Sequence, residues 1–251
     1  MSNENRAVAL VTGSATGVGR ACILQFAKQG YDVVVNYSRS EVEARETVAE
    51  AEACGVSVML VQCDVSDELS VRQMIGEVEN RFGRLDVVVN NAATTNFIEH
   101  ADLESLTEVM WDRMLAVNLK GAFFVTRAAS ALLKGGGGGA VVNVSSVAGI
   151  TGSGSSIAYC ASKGGLNTMT KSLARALAPE VRVNAVCPGP IESRWIRQGN
   201  PNWSIDAMVA DYPLPKASQP DDIADAVLFF AIGTSMATGQ LLSVDGGQTL
   251  C

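Results

Sequence analysis

Short apolar runs alternate with longer stretches of mixed apolar and polar residues along this chain. Continuous apolar runs of this length are typical of strands buried on both faces, and the longer stretches carry the spacing of helices. The strands are predicted at Ala7–Thr12, Asp32–Asn36, Ser57–Cys63, Leu85–Asn90, Ala140–Ser145, Val181–Val186 and Gln240–Val244. The helices are predicted near residues 18–29, 40–54, 67–82, 103–133, 158–178 and 221–232.

This alternation of strands and helices predicts the fold class. A helix that connects two parallel strands must pack back onto the sheet, so repeated units cover both of its faces. We therefore predict an α/β fold, a single doubly wound Rossmann domain over residues 1–251, with a seven-stranded parallel sheet and helices on both faces. Ligands of such folds bind beyond the carboxyl ends of the strands.

A glycine-rich turn follows the first predicted strand and opens a helix. Its sequence is Thr12-Gly13-Ser14-Ala15-Thr16-Gly17-Val18-Gly19. Glycines let the backbone turn tightly and approach a pyrophosphate, which the N–H groups at the start of the helix bind. The turn therefore predicts a dinucleotide site.

A second motif combines a tyrosine with a lysine. Tyr159 and Lys163 lie four residues apart, so both side chains share one face of the predicted helix. A nearby cation favours the phenolate and lowers the pKa of a tyrosine. Ser146 directly follows the fifth predicted strand and is expected at the same edge of the sheet. These residues predict a site for proton transfer.

Taken together, the motifs resemble the short-chain dehydrogenases/reductases, in the branch of 3-oxoacyl-acyl-carrier-protein reductases and glucose dehydrogenases. The glycine turn has the family spacing Gly-x-x-x-Gly-x-Gly, and the resemblance extends from Val8 to Gly247. Asn90-Asn91-Ala92-Ala93 resembles the family turn Asn-Asn-Ala-Gly, with Ala93 in place of the last glycine. Asp245-Gly246-Gly247 matches the C-terminal signature of the family.

The resemblance implies a nicotinamide-dependent oxidoreductase that interconverts a carbonyl and a secondary alcohol. Tyr159 would exchange a proton with the substrate oxygen, while Lys163 lowers the tyrosine pKa and binds the nicotinamide ribose. Ser146 would hydrogen-bond the substrate, and Asn118 would complete a relay through water. Ser145 is rejected for the serine role because strand residues alternate faces and the family spacing selects Ser146.

The resemblance also implies a set of cofactor-binding residues. Asp64 matches the family aspartate that contacts adenine; the alternative is that Asp64 caps the helix that follows it. The predicted cofactor-binding residues are Gly13, Thr16, Gly17, Val18, Gly19, Asn36, Ser38, Arg39, Asp64, Val65, Asn91, Ala92, Tyr159, Lys163, Pro188, Gly189 and Ile191.

The end of the second predicted strand indicates which cofactor is preferred. Enzymes of this architecture that use NAD carry an acid there, which grips the ribose 2′-hydroxyl. Here the segment reads Asn36-Tyr37-Ser38-Arg39, and Asp32 lies about 13 Å away at the strand start. A 2′-phosphate would instead pair with Arg39 and Ser38. We predict a preference for NADP(H), with NAD(H) possible, and a modest one because Thr16 is not an arginine.

Composition excludes several classes of partner. The net charge of −7 argues against nucleic acid or an anionic membrane as a partner. The six cysteines form no Cys-x-x-Cys pair and His100 is the single histidine, which argues against a metal site. Because the segment Met1–Arg6 is polar, we expect a cytoplasmic protein.

The substrate is expected to be a free small carbonyl or alcohol compound, beneath a lid near residues 190–216. A carrier-protein reductase must dock an acidic partner, which needs a positive patch. The two helix ends that are basic in such relatives here read Lys134 followed by glycines, and Ala178-Pro179-Glu180. Arg127 and Arg175 would contribute if exposed, so 3-oxoacyl-acyl-carrier-protein reductase stays as the alternative.

A second class of function is a cofactor-binding sensor without catalysis, since fold does not fix function. A sensor need not keep Asn118, Ser146, Tyr159 and Lys163 together, so the sequence favours an enzyme. The resemblance further implies a homotetramer, joined by the long helices near 103–133 and 158–178 and by the C-terminal strand.

Overall fold

Seven parallel strands form one sheet, in the order β3-β2-β1-β4-β5-β6-β7. The computed structural model describes residues 6–199 and 204–250. The strands are β1 Val8–Val11, β2 Asp32–Tyr37, β3 Val58–Gln62, β4 Val87–Asn90, β5 Gly139–Val144, β6 Val181–Pro188 and β7 Leu241–Val244. The predicted parallel sheet is confirmed, and every strand lies within two residues of its predicted bounds.

Helices cover both faces of the sheet, as predicted. They are α1 Gly17–Lys28, α2 Glu41–Glu52, α3 Glu68–Phe82, α4 Glu108–Leu115, α5 Ala122–Gly135, α6 Ala148–Thr151, α7 Ile157–Leu177, α8 Arg194–Gly199, α9 Ile205–Val209 and α10 Pro220–Leu228. Helices α1, α2 and α10 pack on one face, and α3, α5 and α7 on the other. Among the described residues, no helix is both long and apolar enough to cross a membrane.

The side chains of each strand divide between two cores. Val33 and Val35 of β2 pack among α1 and α2, whereas Val34 packs with α3 on the opposite face. All three are fully buried. Burial on both faces explains why the strands appear in the sequence as unbroken apolar runs.

The predicted helix over 103–133 is wrong in part. Residues 101–107 form turns, in which the N–H of Ser105 donates to the Asp102 carboxylate at 3.2 Å. The remainder is interrupted by a π-helical segment, Ala116–Gly121, between α4 and α5. Helices α6, α8 and α9 were not predicted, because four to six residues are too few to show a helical period.

The order of the strands determines where a ligand can bind. β1 lies between β2 and β4, so the connections after β1 and β4 diverge to opposite sides of the sheet. Such a switch point leaves a crevice beyond the carboxyl ends of the strands.

Candidate active site

A cleft of about 1030 Å³ lies at this edge of the sheet. It is lined by residues that follow β1, β2 and β3 on one side and β4, β5 and β6 on the other. Every residue predicted to bind cofactor or to act in catalysis lines the cleft, except Gly19 and Asn118. Motifs distant in sequence therefore meet in one place, as the parallel topology requires.

The glycine turn fits a bound dinucleotide because Gly17, which lines the cleft at φ +58°, has open space where a Cβ would lie. Gly13 adopts φ +61°, and a Cβ there would lie 2.9 Å from the Cα of Ala92. At Gly19 a Cβ would lie 2.6 Å from the Asn91 amide nitrogen. Gly19 is thus required for packing α1 against the turn after β4, and it does not line the cleft itself. The N–H groups at the start of α1 remain available to an anion.

The turn after β4 is anchored to the glycine turn. The side-chain amide of Asn91 donates to the carbonyl oxygens of Thr12 and Gly13, both at 2.9 Å. The hydroxyl of Thr12 accepts from the N–H groups of Asn91 and Ala92 at 3.0 Å. These bonds fix the two turns against each other and define the floor of the cofactor half of the cleft.

Asn36 has its polar atoms engaged within the protein. It is 1% exposed; its Oδ1 accepts from the Gly13 N–H at 3.0 Å, and its Nδ2 donates to the Cys63 carbonyl at 3.1 Å. Its contribution to the cofactor site is to hold the glycine turn against β2 and β3. Ser38 and Arg39 are exposed at the mouth of the cleft.

Asp64 forms a closed set of hydrogen bonds with Ser66 and Arg113. The Asp64 carboxylate accepts from the Ser66 hydroxyl at 2.7 Å and from Arg113 Nη2 at 2.9 Å, and Arg113 Nη1 donates to the Ser66 hydroxyl at 2.7 Å. Although burial raises it, these bonds hold the pKa of Asp64 below its usual value. The cap of α3 is Asp67, whose carboxylate accepts from Leu69 N, so the alternative that Asp64 caps the helix is wrong.

Ser146 and Ser145 point in different directions at the end of β5. Ser146 lines the cleft together with Tyr159 and is near enough to lower the pKa of its phenol, and the Ser146 Oγ accepts from the Ala148 N–H at 3.1 Å. Ser145 is buried, and its hydroxyl donates to the Lys163 carbonyl at 3.3 Å. Of the two serines, Ser146 is therefore the one placed beside the tyrosine.

Tyr159 and Lys163 lie on one face of α7, as their spacing predicts. Lys163 is 3% exposed, and its Nζ lies 5.7 Å from the centre of the Tyr159 ring. Burial raises the pKa of Tyr159 to about 12, and the nearby Ser146 opposes this. Burial also lowers the pKa of Lys163 to about 8. The expectation that Lys163 lowers the tyrosine pKa is not met by these side chains, because loss of hydration dominates the shift and Lys163 does not contribute to it.

Asn118 lies in the π-helical segment rather than in a regular helix. Its Oδ1 accepts from the Thr94 N–H at 2.8 Å, and its Nδ2 donates to the Thr94 carbonyl at 2.9 Å and to the Ser162 hydroxyl at 3.0 Å. Ser162 in turn donates to the carbonyl of Tyr159 at 2.8 Å. Asn118 is therefore connected to α7 and to the turn after β4 without reaching the cleft.

The segment after β6 closes the other side of the cleft. At Gly189 a Cβ would lie 2.9 Å from the Cα of Asp245, so this turn packs tightly on the C-terminal signature. Within the predicted lid, Trp195 and Ile196 of α8 and Met208 of α9 line the cleft. Residues 200–203 of that lid, Trp203 among them, lie outside the described residues.

Sequence reasoning missed Arg113, Thr94 and Ser162. Each forms a hydrogen bond with a predicted site residue that is distant in the chain. Arg113 bonds to Asp64, and Thr94 and Ser162 bond to Asn118. No local pattern marks such partners, because only the folded chain brings α4, α7 and the turn after β4 together.

Comparison with known proteins agrees with this geometry. A family model described as enoyl-(acyl carrier protein) reductase matches residues 13–249. A Streptomyces violaceoruber protein assigned as ketoacyl reductase 2 of the granaticin polyketide synthase is 42% identical over 248 residues, covering 97% of this chain and 96% of that protein. The 3-oxoacyl-acyl-carrier-protein reductase FabG of Staphylococcus aureus strain Mu50 is 39% identical over 242 residues, covering 96% and 97%.

A solved structure shows the same fold over its whole length. It is the crystal structure of a Burkholderia xenovorans protein assigned to the short-chain dehydrogenases/reductases. It superposes with a TM-score of 0.93 at 35% identity, covering 98% of this chain and 99% of the other. The matched family model, the identities and the shared sheet lead to one conclusion: the chain belongs to the short-chain dehydrogenase/reductase family of oxidoreductases, which act on carbonyl and CH–OH groups.

Proposed function

We propose that this protein is an NADP(H)-dependent reductase of a free small carbonyl compound, with Ser146, Tyr159, Lys163 and Asn118 as its catalytic set. One observation carries the proposal: Ser146 and Tyr159 line the cleft beside the buried Lys163, whose Nζ lies 5.7 Å from the centre of the Tyr159 ring, and the glycine turn lines the same cleft. A carbonyl oxygen bound there meets two hydroxyl groups, one of which can give up a proton.

The protonation states at neutral pH suit the step in which a carbonyl oxygen receives a proton. A phenol whose pKa is about 12 keeps its proton at pH 7 and can donate it to a carbonyl oxygen that gains negative charge. Lys163, with a pKa of about 8, is mostly charged at pH 7, and it lines the cleft where it would bind the nicotinamide ribose. A bound nicotinamide supplies the hydride, and the protein supplies position and electrostatics.

The preference for NADP(H) is supported by the charge at the end of β2. Arg39 is exposed at the mouth of the cleft, and among the described residues its guanidinium forms no ion pair. Asp32 is buried at the other end of β2, where its carboxylate accepts from Ser57 N at 2.7 Å. A 2′-phosphate would thus meet an available cation and no carboxylate at this end of the strand.

The contacts of Arg127 support a substrate that is not attached to a carrier protein. Its guanidinium pairs with Glu68 at 2.6 Å and lies 5.2 Å from the centre of the Phe123 ring. An acidic carrier protein would have to compete with Glu68 for this arginine. Lys134 and Arg175 are exposed, so they are the remaining cations at the two helix ends.

A second candidate, 3-oxoacyl-acyl-carrier-protein reductase, is favoured by the names of the relatives described above. The FabG relative is 39% identical over nearly its entire length. The two candidates share the catalytic set and differ in what docks at the mouth of the cleft. A cofactor-binding sensor is a third and weaker candidate, since the complete catalytic set supports chemistry.

We also propose a homotetramer in the cytoplasm. Large apolar side chains are exposed around the C-terminal helix and strand, where a partner subunit would cover them. These are Phe229, Ile232, Met236 and Leu242. The cysteines at 22, 54, 63, 160 and 187 are free thiols, which suits a reducing compartment.

The test of the proposed function is consumption of NADPH, followed at 340 nm, with a panel of small ketones and the purified chain. Turnover of at least one ketone that depends on Tyr159 is expected. If no ketone is reduced although NADPH binds normally, a cofactor-binding sensor is the better description of the protein.

A further inference from the structure

Trp195 lies directly against the proposed proton donor. It belongs to α8, and its ring centre is 6.4 Å from that of Tyr159 at an interplanar angle of 71°. This edge-to-face arrangement is a favourable one for two aromatic rings. Trp195 is nevertheless 39% exposed, so much of its surface is open to whatever enters the cleft.

The part of the cleft beyond Tyr159 has one apolar wall and one hydroxyl-rich wall. We call this part the substrate half; it is lined by residues 94, 95, 97, 153–155, 192, 193, 195 and 196 and by Met208. The side chains of Phe97, Trp195, Ile196 and Met208 form the apolar wall. On the other wall the hydroxyls of Thr95 and Ser155 lie 2.6 Å apart and satisfy each other.

The substrate half offers no available cation among the described residues that line it. Among the lining side chains that the structure describes, Glu192 is the charged one, and its carboxylate accepts a hydrogen bond from Arg197 at 2.5 Å. A carboxylate or phosphate on the substrate would lose hydration here and would face the carboxylate of Glu192. This surface is suited to an uncharged molecule.

We propose that Trp195 is a specificity-determining residue, and that the substrate is an uncharged ketone with a planar ring next to its carbonyl group. With the carbonyl oxygen at the Tyr159 hydroxyl, the neighbouring ring lies within reach of Trp195, which contacts the same tyrosine. A flat ring covers the exposed indole and buries more apolar area than a straight chain does. The inference deepens the proposed function and rests on it.

The experiment compares 1-tetralone, an aryl ketone, with ethyl acetoacetate, a straight-chain ketone. The wild-type kcat/KM for 1-tetralone is expected to exceed that for ethyl acetoacetate. Trp195→Ala should lower kcat/KM for 1-tetralone about tenfold, the effect of losing one aromatic contact and its buried area, and leave ethyl acetoacetate within about threefold. Trp195→Phe should retain most of the activity on 1-tetralone. Trp111→Phe, a tryptophan of α4 that does not line the cleft, is the matched control.

The outcomes separate this inference from the proposed function. If Trp195→Ala impairs both ketones equally, or if the wild type prefers ethyl acetoacetate, the inference is overturned while the reductase function stands. If neither ketone nor any other is reduced, the proposed function fails and the inference fails with it. Quenching of tryptophan fluorescence by 1-tetralone, retained in Trp111→Phe and lost in Trp195→Phe, is an independent supporting result; quenching unchanged in Trp195→Phe counts against the inference.

Discussion

Lys163 donates a hydrogen bond from its Nζ to the carbonyl oxygen of Val144, at 2.8 Å. Because Val144 ends β5, this bond holds the buried ammonium at the strand end that also presents Ser146. A charge that is held without a counter-ion in a buried place costs stability. The position that we propose for Lys163 in catalysis therefore costs folding stability, and both effects can be measured.

Removal of the Tyr159 hydroxyl should stop proton transfer. Tyr159→Phe is expected to lower kcat by about a hundredfold or more, since general acids typically contribute that much, while NADPH binding changes little. Steady-state kinetics and a fluorescence titration with NADPH measure the two effects. Tyr31→Phe is the control, because Tyr31 packs on Phe26 and does not line the active-site cleft. Turnover near the wild-type value in Tyr159→Phe would contradict the assignment.

Replacement of Lys163 should make the protein more stable and less active. The lysine pKa falls from 10.5 to about 8 on folding, so below pH 8 the folded state carries a buried charge at a cost of roughly 3 kcal/mol. This cost declines as the pH rises from 8 to 10.5, where the unfolded lysine also loses its proton. Lys163→Met should therefore raise the free energy of unfolding at pH 7 by about 2 kcal/mol, after loss of the Val144 hydrogen bond, and should lower it by about 1 kcal/mol above pH 10.5, where only that loss remains.

Urea unfolding at pH 7 and at pH 10.5 measures this difference. Lys171→Met, on the exposed face of the same helix, should change stability by no more than about 0.5 kcal/mol. Equal stability of wild type and Lys163→Met at both pH values would show that burial of the charge carries no such cost.

The sheet, and the meeting of Ser146, Tyr159 and Lys163 in one cleft, could be predicted because their signals are local. The four-residue spacing of Tyr159 and Lys163 fixes a shared helix face, and the position of Ser146 after a strand fixes its edge of the sheet. The link between Asp64 and Arg113 could not be predicted, since 49 residues separate them and no period relates them. The raised pKa of Tyr159 was missed for a similar reason: burial of its hydroxyl is a property of the assembled cleft.

Arg39 should determine the preference for NADPH. Arg39→Ala is expected to lower kcat/KM for NADPH about tenfold, the effect of losing one charge-assisted hydrogen bond, and to leave the value for NADH nearly unchanged. Arg45→Ala is the control, because Arg45 pairs with Glu41 on the exposed surface of α2. A wild-type preference for NADH, or an equal loss with both cofactors in Arg39→Ala, would refute the role of Arg39.

The exposed apolar side chains near the C-terminus should be buried between subunits. Light scattering at micromolar concentration is expected to give the mass of a tetramer. Phe229 is 49% exposed and Ile232 40%, so Phe229→Glu should place a charge in the interface and reduce the mass. Val42→Glu, at an exposed position of α2, should leave the mass unchanged. A monomeric wild-type protein would contradict the assembly.

A competition between two forms of one substrate should separate the two candidate functions. The forms are a 3-oxoacyl chain on an acidic carrier protein and the same chain on a small thioester. Because Arg127 is engaged by Glu68, and Glu180 adds an exposed negative charge near the end of α7, we expect no higher kcat/KM for the carrier-bound form. Arg175→Glu, which reverses an exposed charge, should likewise leave the ratio of the two values unchanged. If the carrier-bound form is strongly preferred, and both added salt and Arg175→Glu abolish the preference, then docking of an acidic partner is real and the carrier-protein reductase is the correct function.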